Sequence, residues 1–210
     1  NVKNLTHGFG DRAIFSDVSF RLLKGEHIGL IGANGEGKST FMNIITGKLM
    51  PDEGTIEWAK HIRVGYLDQH AVLEKGMTIR DVLNSAFAYL FDMETAMNEM
   101  YEKMATADEE EMQHLMEETS TYQELLEHHD FYMIDAKVSE VGRALGLEDI
   151  GLDRDVTELS GGQRTKVLMA KLLLEKPDIL LLDEPTNYLD ESHIEWLKRY
   201  LNEYENAFIL

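Results

Sequence analysis

The pattern of apolar and polar positions predicts strands at both ends of the chain and helices between them. Short apolar runs typical of strands occur at residues 18–20, 26–31, 55–58, 64–67, 179–182 and 207–210. Apolar residues at helical spacing predict amphipathic helices at residues 38–46, 138–145, 160–176 and 194–201. Strands and helices alternate on either side of an all-helical block, a pattern that favours an α/β core with a helical subdomain.

The helical block contains two apolar seams with alternating spacings of three and four residues. The seams are Leu90, Met93, Met97, Met100 and Met104, then Met112, Leu115, Thr119, Tyr122 and Leu126. Capping-box patterns at residues 78–81 and 106–109 predict where two of the helices begin. We therefore predict an antiparallel helical hairpin over about residues 85–130, with helices on the order of 20–25 Å long.

These elements predict two parts of the chain, an α/β core and a helical subdomain. Residues 1–77 and 177–210 form the predicted α/β core, and residues 78–176 form the predicted helical subdomain, whose last helix spans 160–176. The chain begins with Asn1 and ends with Leu210 inside an apolar run, so we interpret it as a fragment of a longer protein.

Composition narrows the classes of protein that the chain can belong to. Its 210 residues are 43% hydrophobic, enough for a buried core, and no apolar run approaches the roughly 18 residues of a membrane span. The net charge is −19, and residues 78–140 hold sixteen acidic side chains against three basic ones. Such a chain is a poor general binder of DNA. The absence of cysteine excludes disulfides and fits a cytoplasmic location.

Residues 32–39 form a phosphate-binding loop of the pattern G-x-x-x-x-G-K-[ST]. Glycines let backbone N–H groups turn towards an anion, and the helix that follows adds its positive dipole end. Lys38 supplies a full charge to the β- and γ-phosphates, and Ser39 offers a hydroxyl to Mg²⁺. The predicted nucleotide contacts from this region are Asn34, Gly35, Gly37, Lys38, Ser39 and Thr40.

Two later stretches complete the chemistry. The apolar run at 179–182 ends in Asp183 and Glu184, at the carboxyl end of a strand, where open α/β sheets bind their ligands. Residues 159–163, Leu-Ser-Gly-Gly-Gln, open the helix predicted at 160–176 and form a second anion-binding helix start. Along the chain the phosphate loop comes first, the Leu-Ser-Gly-Gly-Gln stretch second and the acidic pair third. In that order, the three motifs resemble the ATP-binding-cassette (ABC) family of ATPases, over nearly the whole chain.

The resemblance implies a P-loop NTPase fold that binds ATP and Mg²⁺, with specific roles for several residues. Asp183 binds Mg²⁺ together with Ser39, and Glu184 is the general base on the attacking water. Gln69, after the strand predicted at 64–67, matches the glutamine that senses the metal and the water, although a lone glutamine after a strand is more often a surface amide. The catalytic set is then Glu184, Gln69 and Lys38.

The resemblance also implies a contact with the adenine ring and a contact with a second cassette. Phe9 occupies the place of the ring that stacks on adenine; the alternative is a core phenylalanine, and Gly8 and Gly10 favour the stacking role. The family signature at Ser160, Gly161, Gly162 and Gln163 contacts the γ-phosphate of ATP bound to a second cassette. The family's switch histidine would follow Leu210, so we expect weak turnover from these residues alone.

The run at 183–190, Asp-Glu-Pro-Thr-Asn-Tyr-Leu-Asp, the Arg-Thr-Lys at 164–166 and the predicted hairpin resemble the ABC-F branch, in particular the N-terminal cassette of a two-cassette chain. That branch implies action on the ribosome in translation, and in some members antibiotic resistance. The rival interpretation is the ATP-hydrolysing subunit of a membrane transporter, which shares every catalytic residue. Repair and chromosome-organising relatives are a weaker third, because their insertions are far longer or carry zinc-binding cysteines.

Overall fold

A computed structural model describes residues 1–32, 37–67, 73–187 and 189–210. Its strands and helices are, in chain order, β1 (Val2–Phe9), β2 (Arg12–Phe20), β3 (His27–Ile28), α1 (Lys38–Ile45), β4 (Glu53–Ile56), β5 (Val64–Tyr66), α2 (Ile79–Asn84), α3 (Ala88–Lys103), α4 (Glu109–His128), α5 (Ile134–Ala144), α6 (Leu147–Ile150), α7 (Gly161–Glu175), β6 (Ile179–Leu181), α8 (Glu191–Asn202) and β7 (Ala207–Ile209). The α/β class predicted from the sequence is confirmed.

The chain divides into two compact units. Residues Asn1–Ala71 and Glu175–Leu210 form one, which we call the core unit, and Val72–Leu174 form the other, the helical unit. The core unit is therefore built from two segments that are far apart in sequence, whereas the helical unit is continuous.

Two sheets form the core unit. An antiparallel sheet has the strand order β2-β1-β4, and a parallel sheet has the order β3-β7-β6-β5. The central strands β6 and β7 are buried at every position, as expected for a parallel sheet covered on both faces. Helix α1 buries its apolar side chains in the same core cluster as β6 and β7: Phe41, Met42, Ile44 and Ile45.

The antiparallel sheet is where the strand prediction fell short. For β1 and β2 the sequence pattern predicted only residues 18–20, but these strands are paired from Val2 opposite Phe20 to Phe9 opposite Arg12. The pairing register shifts three times along β1, so apolar residues do not alternate regularly with polar ones. Conversely, the strand predicted at 26–31 is reduced to the two residues of β3.

The start of α2, in the helical unit, is fixed by a capping box, as predicted. The Thr78 hydroxyl accepts a hydrogen bond from the Asp81 backbone N–H at 3.1 Å, and the Asp81 carboxylate accepts from the Thr78 N–H at 2.9 Å. The second predicted box, at 106–109, is wrong. Asp108 is the N-cap of α4, and its carboxylate accepts from the Glu111 N–H at 2.8 Å. Since Asp outcompetes a threonine two residues earlier as an N-cap, the helix begins later.

Helices α3 and α4 pack against each other as the predicted hairpin. All ten seam residues are buried or half-buried, and Leu90 and Leu126 are fully buried. With 20 residues, α4 is about 30 Å long and exceeds the predicted length. No helix in the described part of the chain is long and apolar enough to cross a bilayer.

Candidate functional site

The phosphate loop leads into α1 through Gly37, which is the N-cap of the helix and has a φ of +95°. A Cβ at this position would lie 2.0 Å from Ile14 Cγ2, so both the backbone conformation and the space require glycine. Buried residues on α1 hold the helix in the core. Asn34 and Gly35, predicted to contact nucleotide, lie outside the described residues, and Thr40 is in the first turn of α1.

Lys38 is the first residue of α1, and its side chain is 21% exposed. Its Nζ atom donates a hydrogen bond to the Gly32 carbonyl at 2.5 Å and lies 3.7 Å from Glu184 Oε1. The ammonium group is therefore held between the first residue of the loop and the proposed general base. A fixed cation beside the N-terminus of a helix favours a phosphate at the same place.

Ser39 and Asp183 are 144 residues apart in sequence, and the fold brings them into contact. The Ser39 hydroxyl donates to Asp183 Oδ2 at 2.6 Å. A hydroxyl and a carboxylate oxygen are ligands that Mg²⁺ prefers, and this ion usually takes its remaining ligands from water and phosphate. Within the described residues no cluster of three or more His, Asp or Glu side chains could hold a metal unaided. The Ser39 hydroxyl and the Asp183 carboxylate thus fit two of the ligands of a Mg²⁺ ion.

Glu184 follows Asp183 in a left-handed conformation, with a φ of +46°. Such a conformation costs a non-glycine residue roughly 1–2 kcal/mol, and it places the side chain beside Lys38. Asn187 stabilises this arrangement: its Nδ2 donates to Glu184 Oε2 at 2.9 Å, and its backbone N–H donates to the Glu184 carbonyl at 3.3 Å. Asn187 was not among the predicted site residues, although it lies in the run at 183–190 that pointed to the family.

Phe9 ends β1 at the turn between β1 and β2. Its side chain is 54% exposed and lies outside the core cluster of the unit. Its nearest aromatic neighbour is His7, whose ring is 4.9 Å away in a T-shaped arrangement. A Cβ on Gly8 would lie 2.7 Å from the Arg12 carbonyl, so the turn between β1 and β2 needs this glycine. Phe9 thus presents a ring to solvent from a tightly constrained backbone.

The signature residues lie at the start of α7. The Ser160 N–H donates to Gln163 Oε1 at 3.0 Å, and the Gln163 N–H donates to Ser160 Oγ at 3.2 Å. This reciprocal pair is a capping box, so both side chains shape the helix start. A Cβ on Gly161 would contact nothing within 4 Å, which leaves the backbone there open to a ligand. Gly162 follows in the first turn of α7. Gln69 lies outside the described residues.

Comparisons with known proteins agree with this geometry. A family model described as "ABC transporter" matches residues 15–187. Over its whole length the chain is 75% identical to an uncharacterized ABC transporter ATP-binding protein, YfmM, from Bacillus subtilis, of which it covers 40%. It is 36% identical, over 94% of its length, to the energy-dependent translational throttle protein EttA of Haemophilus influenzae, of which it covers 35%. The chain thus spans two fifths or less of these relatives.

A plant relative and two solved structures extend the comparison. ABC transporter F family member 2 of Arabidopsis thaliana is 35% identical over 95% of the chain, which covers 30% of that protein. The ATP-binding subunit of an ABC transporter shares the fold, with a TM-score of 0.64, 23% identity, and coverage of 99% of this chain and 77% of that one. The archaeal ribosome recycling factor aABCE1, solved with the ribosomal stalk protein aP1, gives a TM-score of 0.59 at 26% identity, covering 99% of this chain and 32% of that one.

The motifs follow one another in the order that is typical of the family: the phosphate loop before α1, the capped signature helix α7, and the acidic pair after β6. The family model spans most of the chain. The chain is therefore an ATP-binding cassette and belongs to the ABC family.

Proposed function

We propose that this cassette binds Mg-ATP and hydrolyses it to ADP and phosphate, as one of two cassettes in a protein that acts in translation. The observation that carries the proposal is the convergence of Lys38, Ser39, Asp183 and Glu184 at one edge of the parallel sheet. In the proposed site, Lys38 binds the β- and γ-phosphates. Ser39 and Asp183 hold Mg²⁺, which would neutralise phosphate charge.

Glu184 is the proposed general base. Its Oε2 atom accepts from Asn187 and its Oε1 atom faces Lys38, so both oxygens are oriented before any water is deprotonated. A base held in this way removes the proton of the water that attacks the γ-phosphate, and the bond from the γ-phosphorus to the bridging oxygen of ADP breaks. Gln69 would help to position this water, and Phe9 would stack on the adenine ring.

The proposed contact with a second cassette is made by the start of α7. The Ser160 to Gln163 box leaves the backbone at Gly161 open, and N–H groups at a helix N-terminus attract anions. We infer that this surface binds the γ-phosphate of ATP held by another cassette, so that ATP joins the two cassettes and hydrolysis releases them. The other cassette would belong to the same chain, or to a second copy of it.

Glu184→Gln in the full-length protein tests the assignment of the base. Because the amide cannot accept the proton, we expect phosphate release to slow by roughly 10²–10⁴-fold while ATP affinity is retained. Glu191→Gln is the matched control, because Glu191 lies seven residues on in the first turn of α8, outside the cluster. Phosphate release measured at saturating ATP decides the point: a normal rate in Glu184→Gln would refute the assignment.

The role in translation rests on the relatives, since EttA is named a translational throttle and aABCE1 a ribosome recycling factor. We expect the ATP-bound Glu184→Gln protein to sediment with ribosomes and to lose this property without ATP. The rival function, a transporter subunit, is favoured by the family model, whose description is "ABC transporter". Purification of the full-length protein with a detergent-stable membrane partner, and without ribosomes, would overturn the proposed role in translation.

A further inference from the structure

His7 is a buried histidine directly behind the exposed ring of Phe9. It is 5% exposed, and neither of its ring nitrogens has a hydrogen-bond partner among the described residues. Its Nδ1 atom lies 3.6 Å from Asp52 Oδ1, which is ion-pair distance but longer than a hydrogen bond. Burying polar nitrogens without hydrogen bonds opposes folding, so an apolar side chain would be the less costly choice for stability alone.

Aromatic contacts connect His7 to both parts of the nucleotide site. Its ring is 4.9 Å from that of Phe9, with an interplanar angle of 87°, and 6.4 Å from that of Phe15. Phe15 in turn packs edge-to-face on Phe41 of α1, with the ring centroids 6.0 Å apart. These separations fall within the range in which aromatic pairs attract each other. His7 therefore lies between the ring proposed to stack on the base and the helix proposed to bind the phosphates.

The backbone around His7 is fixed by Asp52. The Gly8 N–H donates to Asp52 Oδ2 at 2.9 Å, and the Asp52 N–H donates to the Thr6 carbonyl at 3.0 Å. The residues on either side of His7 are thus both tied to Asp52. Because the backbone on both sides is held and the side chain is buried, the imidazole ring has little freedom to move away from Phe9.

We propose that His7 is a positioning residue for base recognition, which acts by holding Phe9 in the orientation that adenine needs for stacking. The proposal rests on the proposed function, because it requires that Phe9 stacks on the base. The proposal predicts that His7 affects the binding of the base and does not affect the binding of the phosphates.

The test compares ATP with inorganic tripolyphosphate, which carries the phosphate charge and no base, in calorimetric titrations with Mg²⁺. For His7→Ala we expect ATP affinity to fall roughly three- to tenfold, the range of a lost aromatic pair, and tripolyphosphate affinity to stay unchanged. His7→Phe keeps a ring behind Phe9 and removes the nitrogens, so we expect it to retain the ATP affinity of the parent. His27→Ala is the control, because His27 also contacts a phenylalanine ring, that of Phe208, at 3.9 Å in the same unit. Its ATP affinity should match that of the parent.

A double variant separates positioning from general structure. If His7 acts through Phe9, then adding His7→Ala to Phe9→Ala should cause no further loss of ATP affinity. An equal loss of ATP and tripolyphosphate binding in His7→Ala, or a failure of His7→Phe to retain affinity, would overturn the proposal. Lys38→Ala reports on the proposed function independently, because ATP and tripolyphosphate should both be lost. Unchanged binding of both ligands in that variant would refute ATP binding at this site, whatever His7 does.

Discussion

Replacing Gly37 with alanine should damage the phosphate loop by an amount that the geometry allows us to separate into two contributions. The first is the φ of +95°, which costs an alanine roughly 1–2 kcal/mol. The second is the contact of 2.0 Å between the new Cβ and Ile14 Cγ2, which must open to at least 3.4 Å. Relieving an overlap of this kind costs about 1–3 kcal/mol, so the free energy of unfolding should fall by about 2–5 kcal/mol.

Gly47→Ala is the matched control for the first contribution. Gly47 has a φ of +80°, and a Cβ there would meet nothing within 4 Å, so only the backbone conformation is tested. Both substitutions lower the entropy of the unfolded chain equally, and this common gain cancels in the comparison. The difference between the two variants, about 1–3 kcal/mol, therefore reports the overlap with Ile14 alone.

Urea denaturation followed by circular dichroism measures the difference, and Ile14→Ala supplies the second control. Because Ile14→Ala removes Cγ2, the double variant Ile14→Ala, Gly37→Ala should be more stable than the sum of the single variants predicts, by about 0.5–3 kcal/mol of coupling. ATP affinity should fall in Gly37→Ala, since Lys38 follows immediately and moves with the loop. If Gly37→Ala were no less stable than Gly47→Ala, the overlap would not exist in solution and the reasoning would be wrong.

The remaining predictions concern the helical unit. Asp155 accepts hydrogen bonds from the Thr157 hydroxyl, the Thr157 N–H and the Gly76 N–H, and these hold the pKa of its carboxyl below the ordinary value. A lowered pKa stabilises the folded state above the pKa of the unfolded chain, about 3.9, and this stability is lost as the pH falls through the folded pKa. Asp155→Asn should therefore be less stable than the parent at pH 7, and urea titrations should show the gap closing below about pH 4; a constant gap would contradict this. Asp108→Ala removes the N-cap of α4, so the free energy of unfolding should fall by about 1 kcal/mol and amide exchange at Glu111 should become faster. Thr106→Ala should change neither quantity. A larger loss of stability in Thr106→Ala than in Asp108→Ala would favour the capping box first predicted at 106–109.

The sequence predicted best those elements whose signals are local. The box at Thr78 and the buried strand β6 both depend on residues within one or two turns of chain, and the structure contains both. The strands β1 and β2 were largely missed, because register shifts in β1 break the alternation that marks a half-buried strand. The cap at Asp108 was missed because two candidates stood two residues apart, and only their competition decides between them.

In the candidate site, too, the sequence predicted what is local and missed what depends on packing between distant segments. A motif identifies Lys38, Ser39, Asp183 and Glu184 by residue type and spacing, but their contacts depend on the pairing of distant segments. The left-handed backbone of Glu184 and its bond to Asn187 are consequences of packing at the end of β6, and no local pattern encodes them. The burial of His7 likewise became visible only when β1, β2 and the segment before β4 were placed together.

The order of strands in the parallel sheet has a consequence for how the chain folds as it is synthesised. Strands β3 and β5 do not pair with each other; their partners are β7 and β6, which emerge only after the entire helical unit. Until then the apolar face of α1 has no completed sheet to cover it, and non-local parallel pairing is intrinsically slow. The helical unit is a single continuous segment from Val72 to Leu174, so its internal contacts can form before β6 and β7 are synthesised. The contact between Asp183 and Ser39 in the nucleotide site therefore forms only after the helical unit has been synthesised.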